Sequence, residues 1–126
     1  MTKQEKKVLV AEDDHFLAKI YKIKLAKEGI NAEIATDGNE ALAKIKELKP
    51  DLVLLDLVMP GKDGFEILED LQSDKGLKKI PIIILSNLGQ EADIIKGKSY
   101  GIVDYFIKSD ISIHDVVKKI KEILND

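Results

Sequence analysis

Short aliphatic runs alternate along the chain with longer stretches whose apolar positions recur at helical spacing. The first run, Val8 to Ala11, predicts a strand. From Phe16 to Glu28 two rows follow, Phe16–Ile20–Ile23 and Leu17–Tyr21–Leu25, each at the spacing of one helix face. Asp14 fits an N-cap and Gly29 a stop. Asn31 to Ala35 predicts a short second strand. Asp37 then caps a helix through Leu48, with Ala41, Leu42, Ile45 and Leu48 inward and Pro50 closing it. Asp51 to Leu57 predicts the third strand, followed by a breaker-rich loop, MPGKDG. Phe65, Ile67, Leu68 and Leu71 predict a third helix ending near Ser73. Ile80 to Leu85 predicts a fourth strand, with Pro81 tolerable only near its start. The next helix, Glu91 to Ser99, is the weakest: it offers Ala92, Ile94 and Ile95 for burial, and Gly97 costs about 1 kcal/mol against Ala in a helix interior. Ile102 to Ile107 predicts a fifth strand. The last helix starts at Ser112, with Asp115 in a capping-box pattern, and buries Val116, Val117, Ile120, Ile123 and Leu124.

Strict alternation of strand and helix predicts an α/β fold, a doubly wound sandwich with a parallel sheet covered on both faces. No repeat, linker or low-complexity segment interrupts it, so residues 1–126 form one expected domain. In such folds chemistry collects beyond the carboxyl ends of the strands. After the first strand come Glu12, Asp13 and Asp14. Asp56 lies near the end of the third strand, Ser86 closes the fourth and Lys108 closes the fifth; the second offers only Thr36 and Asp37.

Composition narrows the functions open to this edge. Cys is absent, which excludes disulfides and thiolate metal sites and fits an intracellular, cytoplasmic location. The start, MTKQEKK, lacks the long apolar region of a secretory signal, and no stretch approaches the ~20 apolar residues of a membrane helix. Net charge is −3 and all 20 basic residues are Lys. The lack of Arg forks and of a basic bias argues against direct nucleic-acid binding by this chain.

Asp56 poses the sharpest question, because an ionised carboxylate in a doubly covered strand is costly to desolvate unless it is paired. Three carboxylates brought together repel one another unless a cation intervenes. Hard oxygens with no His or Cys among them favour Mg²⁺. His15 follows the acidic run but starts a helix pointing elsewhere. A metal alone leaves Ser86 and Lys108 without a task, whereas an incoming phosphoryl group uses both, with Asp56 as the nucleophile. Taken singly, each residue also has an ordinary structural role: Asp14 as a helix cap, Ser86 as a turn residue, Lys108 as a solvated side chain.

The motifs VLVAEDD, LLDLVMPGKDG, IIILSN and DYFIKS, in that order and at these separations, resemble the receiver (response regulator) domain of two-component signalling, including its single-domain chemotaxis type. The resemblance covers Lys7 to Leu124. It implies a flavodoxin-like (βα)5 fold with strand order 2-1-3-4-5, and a signalling domain rather than a turnover enzyme, limited to Mg²⁺-dependent self-phosphorylation and self-dephosphorylation. By resemblance, Asp56 is the phosphoacceptor, Asp13 the direct Mg²⁺ ligand, Glu12 the acidic neighbour that reaches the metal, and the backbone carbonyl of Val58 a further ligand. Ser86 is the hydroxyl that moves to the phosphoryl group, Lys108 pairs with phosphate and carboxylate, and Tyr105 is the aromatic that swings inward when Ser86 moves. The implied partners are a histidine kinase or histidine phosphotransfer protein, and an output partner at a face built from the fourth helix, fifth strand and fifth helix. The implied state is a monomer or a phosphorylation-dependent dimer.

Two positions depart from the family pattern. Ser109 follows Lys108 where Pro is usual, so a trans peptide or a differently shaped turn is expected there. Val58 and Leu88 flank the acceptor where polar residues often assist an attacking water, so slow hydrolysis is expected. Two other classes compete. A haloacid-dehalogenase-like phosphatase needs a second Asp where Val58 stands. A flavin carrier needs a phosphate-cradling loop where Glu12, Asp13 and Asp14 stand. A receiver-like scaffold that takes no phosphate is the third alternative.

Overall fold

The computed structural model describes residues 5–125; residues 1–4 and 126, which belong to the expected domain and to its charged start, lie outside the described residues. The elements alternate as β1 (Lys7–Ala11), α1 (His15–Lys27), β2 (Asn31–Ala35), α2 (Gly38–Leu48), β3 (Leu52–Leu55), α3 (Gly64–Gln72), β4 (Ile82–Ser86), α4 (Glu91–Lys98), β5 (Asp104–Ile107) and α5 (Ile113–Leu124), with a 3-10 turn at Lys108–Asp110. All strand pairs are parallel, and their order is β2-β1-β3-β4-β5. The expected doubly wound sheet is present.

Strand alternation splits the core into two layers. Leu9, Ala11, Val53, Leu55 and Ile84 face one side, where α2, α3 and α4 lie; Val8, Val10, Leu52, Leu54, Ile83 and Leu85 face the other, covered by α1 and α5. Three strands are shorter than the hydrophobic runs suggest. β3 stops before Asp56, β4 starts after Pro81, which has no N–H to offer a ladder, and β5 starts at Asp104 rather than Ile102.

In α1 only one of the two rows is covered. Tyr21 and Leu25 are buried together with Ala18, whereas Phe16 is 83% exposed and Ile20 and Ile23 lie on the same outer face. The caps follow the sequence more closely. Asp14 accepts from the N–H groups of Phe16 and Leu17, and Asp37 from that of Glu40. Ser112 accepts from the Asp115 N–H. The full reciprocal box closes instead at Asp63 and Glu66, at the head of α3. Asp115 is one methylene shorter than the Glu that box requires. Among the described residues, no helix is long and apolar enough to cross a membrane.

Candidate functional site

Register brings the acidic residues together. Ala11 stands opposite Leu55, so Glu12 and Asp56 leave the sheet side by side, and the Asp56 N–H donates to the Ala11 carbonyl at 3.0 Å. Ser86 stands opposite Ile107, which places Lys108 immediately beyond it on the neighbouring strand. Glu12 and Asp56 are only 3% and 4% exposed, and Ser86 is fully buried.

Both carboxylates share one ammonium. Lys108 Nζ lies 2.5 Å from Glu12 Oε1 and 2.8 Å from Asp56 Oδ2. Their second oxygens are also engaged: Asp14 N–H donates to Glu12 Oε2 at 2.9 Å, and Val58 N–H donates to Asp56 Oδ1 at 3.2 Å. The chain therefore meets the desolvation cost of two carboxylates with a lysine and two backbone donors.

Burial still dominates at Glu12. It raises that carboxyl from its ordinary 4.5 to about 7, against the lowering bonds from Lys108 and Asp14 and with help from the negative charge of Asp56. For Lys108, burial pulls the ammonium down, but the bonds to Asp56 and Glu12 together outweigh it and lift its pKa. Carboxylate oxygens of Glu12, Asp13 and Asp56 lie within 4.8 Å of one another, with Asp13 exposed at the mouth. Three hard oxygens with no imidazole or thiolate among them suit Mg²⁺. Asp14 faces its helix as a cap, and His15 begins α1 on the exposed surface, outside this set.

The remaining expected residues sit in a second layer. Ser86 Oγ accepts from the Leu88 N–H at 3.3 Å, and the Tyr105 hydroxyl donates to the Leu88 carbonyl. The Tyr105 ring is already buried, against α4. Lys108–Ser109 is trans, as are all peptide bonds among the described residues, and the chain turns there in a single 3-10 turn. The absent Pro therefore costs Lys108 none of its reach. Val58 holds Asp56 through its N–H, while its side chain is 55% exposed at the lip.

Two glycines carry roles that periodicity does not announce. A Cβ on Gly64 would fall 2.7 Å from the Asp56 carbonyl oxygen, so the loop closes tightly behind Asp56 only with glycine there. A Cβ on Gly97 would fall 2.9 Å from the Tyr105 ring and 3.0 Å from Ile84 Cδ1. Gly97 reads in sequence as a weak point of a helix; in the structure it is the seat of an aromatic ring.

A doubly wound parallel sheet of order 2-1-3-4-5, ending in an acidic edge, a bridging lysine and a buried hydroxyl, defines an α/β module of the flavodoxin-like class. The family model described as response regulator receiver domain matches residues 8–121, and the chain belongs to that family. It is 37% identical over 108 residues to the DNA-binding response regulator MtrA of Mycobacterium tuberculosis, a match covering 86% of this chain and 46% of that protein. It likewise resembles the transcriptional regulatory protein ResD of Bacillus subtilis, 37% identical over 120 residues, 95% of this chain and 48% of that one. The chain thus spans about half the length of these curated relatives. Among solved structures, a Francisella response regulator receiver domain superposes with a TM-score of 0.87 at 34% identity, over 96% of this chain and 98% of that one. The protein is a receiver domain of the two-component response regulators.

Proposed function

We propose that Asp56 accepts a phosphoryl group from a phosphohistidine on a histidine kinase or histidine phosphotransfer protein, in a Mg²⁺-dependent reaction. The observation that carries this is the single ammonium of Lys108 held between Asp56 and Glu12, with Asp13 in reach of both. Glu12, Asp13 and Asp56, with the Val58 carbonyl, would hold Mg²⁺. Bound there, the ion supplies positive charge to the phosphoryl oxygens.

The chain's own residues do the rest. A carboxylate oxygen of Asp56 forms the new P–O bond as the P–N bond of the donor breaks, and the imidazole departs with the electron pair and takes a proton from solvent. The strand and the Val58 N–H fix the direction of that oxygen, so little orientation is left to chance. Lys108 keeps its place and exchanges part of its carboxylate contact for phosphoryl oxygen. Ser86 turns from the Leu88 N–H toward the new group, and the Tyr105–Leu88 bond carries that change to the face formed by α4, β5 and α5. An output partner, or a second phosphorylated copy, reads that face. The histidine kinase reading places this chemistry in the cytoplasm.

Acetyl phosphate with Mg²⁺ tests the reaction. The intact protein gains the mass of one phosphoryl group, Asp56→Asn gains none, and chelation of Mg²⁺ abolishes the gain. A phosphorylated Asp56→Asn protein would remove the reading.

A further inference from the structure

Gly38 opens α2 without a positive φ, so its backbone conformation does not call for glycine. The space around it does. A Cβ there would overlap the Lys62 carbonyl and fall 2.8 Å from the Lys62 Cα. The Gly38 N–H, one of the donors that a helix start leaves free, donates to the Pro60 carbonyl at 3.1 Å. The loop that follows Asp56 and Val58 therefore lies directly on the head of α2. The same loop is fixed at two further points. Met59 is buried in the core, and Gly64 packs against the Asp56 carbonyl and donates its N–H to the Leu57 carbonyl at 3.0 Å. Within this span the Val58 N–H holds Asp56 Oδ1.

We propose that Gly38 is a positioning residue for Asp56: by seating Pro60 and Lys62 it keeps the Val58 N–H on Asp56 Oδ1, and so presents that carboxylate to Mg²⁺. The inference deepens the metal-dependent reading proposed above and rests on it. If the two surfaces are forced apart, the loop moves and the helix stays. Gly38 and Ala41 are buried, and Asp37 caps α2 through the Glu40 N–H, whereas Pro60 and Gly61 are exposed. The Lys62–Asp70 ion pair ties the loop only to its own helix, α3. A loop released at α2 pivots on Met59 and Gly64, and Val58 lies inside that hinge. Groups that orient a metal ligand without touching the ion typically carry about 10–100-fold of the metal affinity.

The test titrates Mg²⁺ by calorimetry into the parent chain, Gly38→Ala and Ile45→Val. Gly38→Ala binds Mg²⁺ about 10–100-fold more weakly. Ile45→Val trims a fully buried side chain of the same helix; it lowers the unfolding midpoint but keeps the parent's Mg²⁺ affinity. Without metal, the Val58 amide resonance moves in Gly38→Ala and stays in place in Ile45→Val. A second measurement needs no variant. By linkage, Mg²⁺ tightens the seat that tightens Mg²⁺, so saturating Mg²⁺ slows hydrogen exchange at the Gly38 N–H of the parent chain. Parent-like affinity or an unmoved Val58 resonance in Gly38→Ala, an equal loss of affinity in Ile45→Val, or unchanged Gly38 exchange overturns the positioning role. Each of these leaves the receiver reading standing. A parent chain that binds no Mg²⁺ overturns both.

Discussion

The buried carboxylates at the sheet's edge and α4 are held to opposite standards. At the site, each oxygen of Glu12 and Asp56 has a partner and both residues are buried. In α4, Gly97 alone is buried, Ile95 is 61% exposed, and Gln90 gives no side-chain cap. The contrast separates two tasks. On the proposed reading, the buried carboxylate is a nucleophile that needs one fixed geometry, and α4 is a reporter that needs two geometries of similar free energy. A few tens of atoms between Ser86, Leu88, Tyr105 and Gly97 join the rigid part to the loose one.

The largest expected effect breaks the rigid side. Lys108→Met leaves two buried carboxylates facing each other, and removing one partner of such a group costs about 3–5 kcal/mol. Urea unfolding at pH 8 without metal measures the loss. Mg²⁺ restores much of it, because the ion replaces the missing positive charge. If Lys108→Met is as stable as the parent at pH 8, the ammonium is not what makes this edge tolerable.

Glu12 gives the next effect, and its sign follows from its raised pKa. Between its ordinary 4.5 and about 7 the folded chain holds a proton that the unfolded chain has released. The metal-free protein is therefore relatively stabilised at the acid end of that window and loses stability as pH rises through it, by at most roughly 3 kcal/mol. Mg²⁺ needs the ionised carboxylate, so its affinity climbs over the same window and its binding near pH 6 releases a proton. Calorimetry in buffers of different ionisation enthalpy reads that proton directly. Mg²⁺ affinity that is flat from pH 5 to 8 would show Glu12 to be ionised throughout.

The architecture was legible in the sequence because the sheet is buried on both faces and its strands read as unbroken aliphatic runs. Register then had to bring Glu12 beside Asp56, and Lys108 beyond Ser86, without further instruction. Other features were not legible. The spacing of Phe16, Ile20 and Ile23 marks a helix face but says nothing about whether another element covers it, and none does among the described residues. The capping box at Asp63 and Glu66 was hidden in a loop whose Pro and Gly drew the eye to turn chemistry. Gly97 was legible only as a propensity cost, since its partner ring lies eight positions along the chain and on another element.

Gly97→Ala separates those two accounts. Helix propensity predicts a gain of about 1 kcal/mol. A methyl group 2.9 Å from the Tyr105 ring predicts a net loss of about 1–3 kcal/mol, or an outward turn of the ring that breaks the bond from its hydroxyl to Leu88. Thermal unfolding gives the sign, and the Tyr105 ring resonances report where the ring has gone. A stabilised variant with an unmoved ring would return Gly97 to the role of a simple weak point.

The smallest expected effect is the most useful control on the comparison. Ile95→Ala removes all of the branched side chain beyond Cβ from α4, yet that side chain is mostly in water. Its stability should stay within about 0.5 kcal/mol of the parent, in line with surface substitutions generally. The same change at Ile120, fully buried in α5, costs about 2–5 kcal/mol, so the pair calibrates the two helices against one core. Because Ile95 contributes so little to folding, any partner that loses affinity for Ile95→Ala does so through contact rather than through an unfolded helix. A loss of several kcal/mol in Ile95→Ala would mean that α4 is anchored as firmly as α5, and a helix anchored that firmly cannot serve as the loose half of a switch.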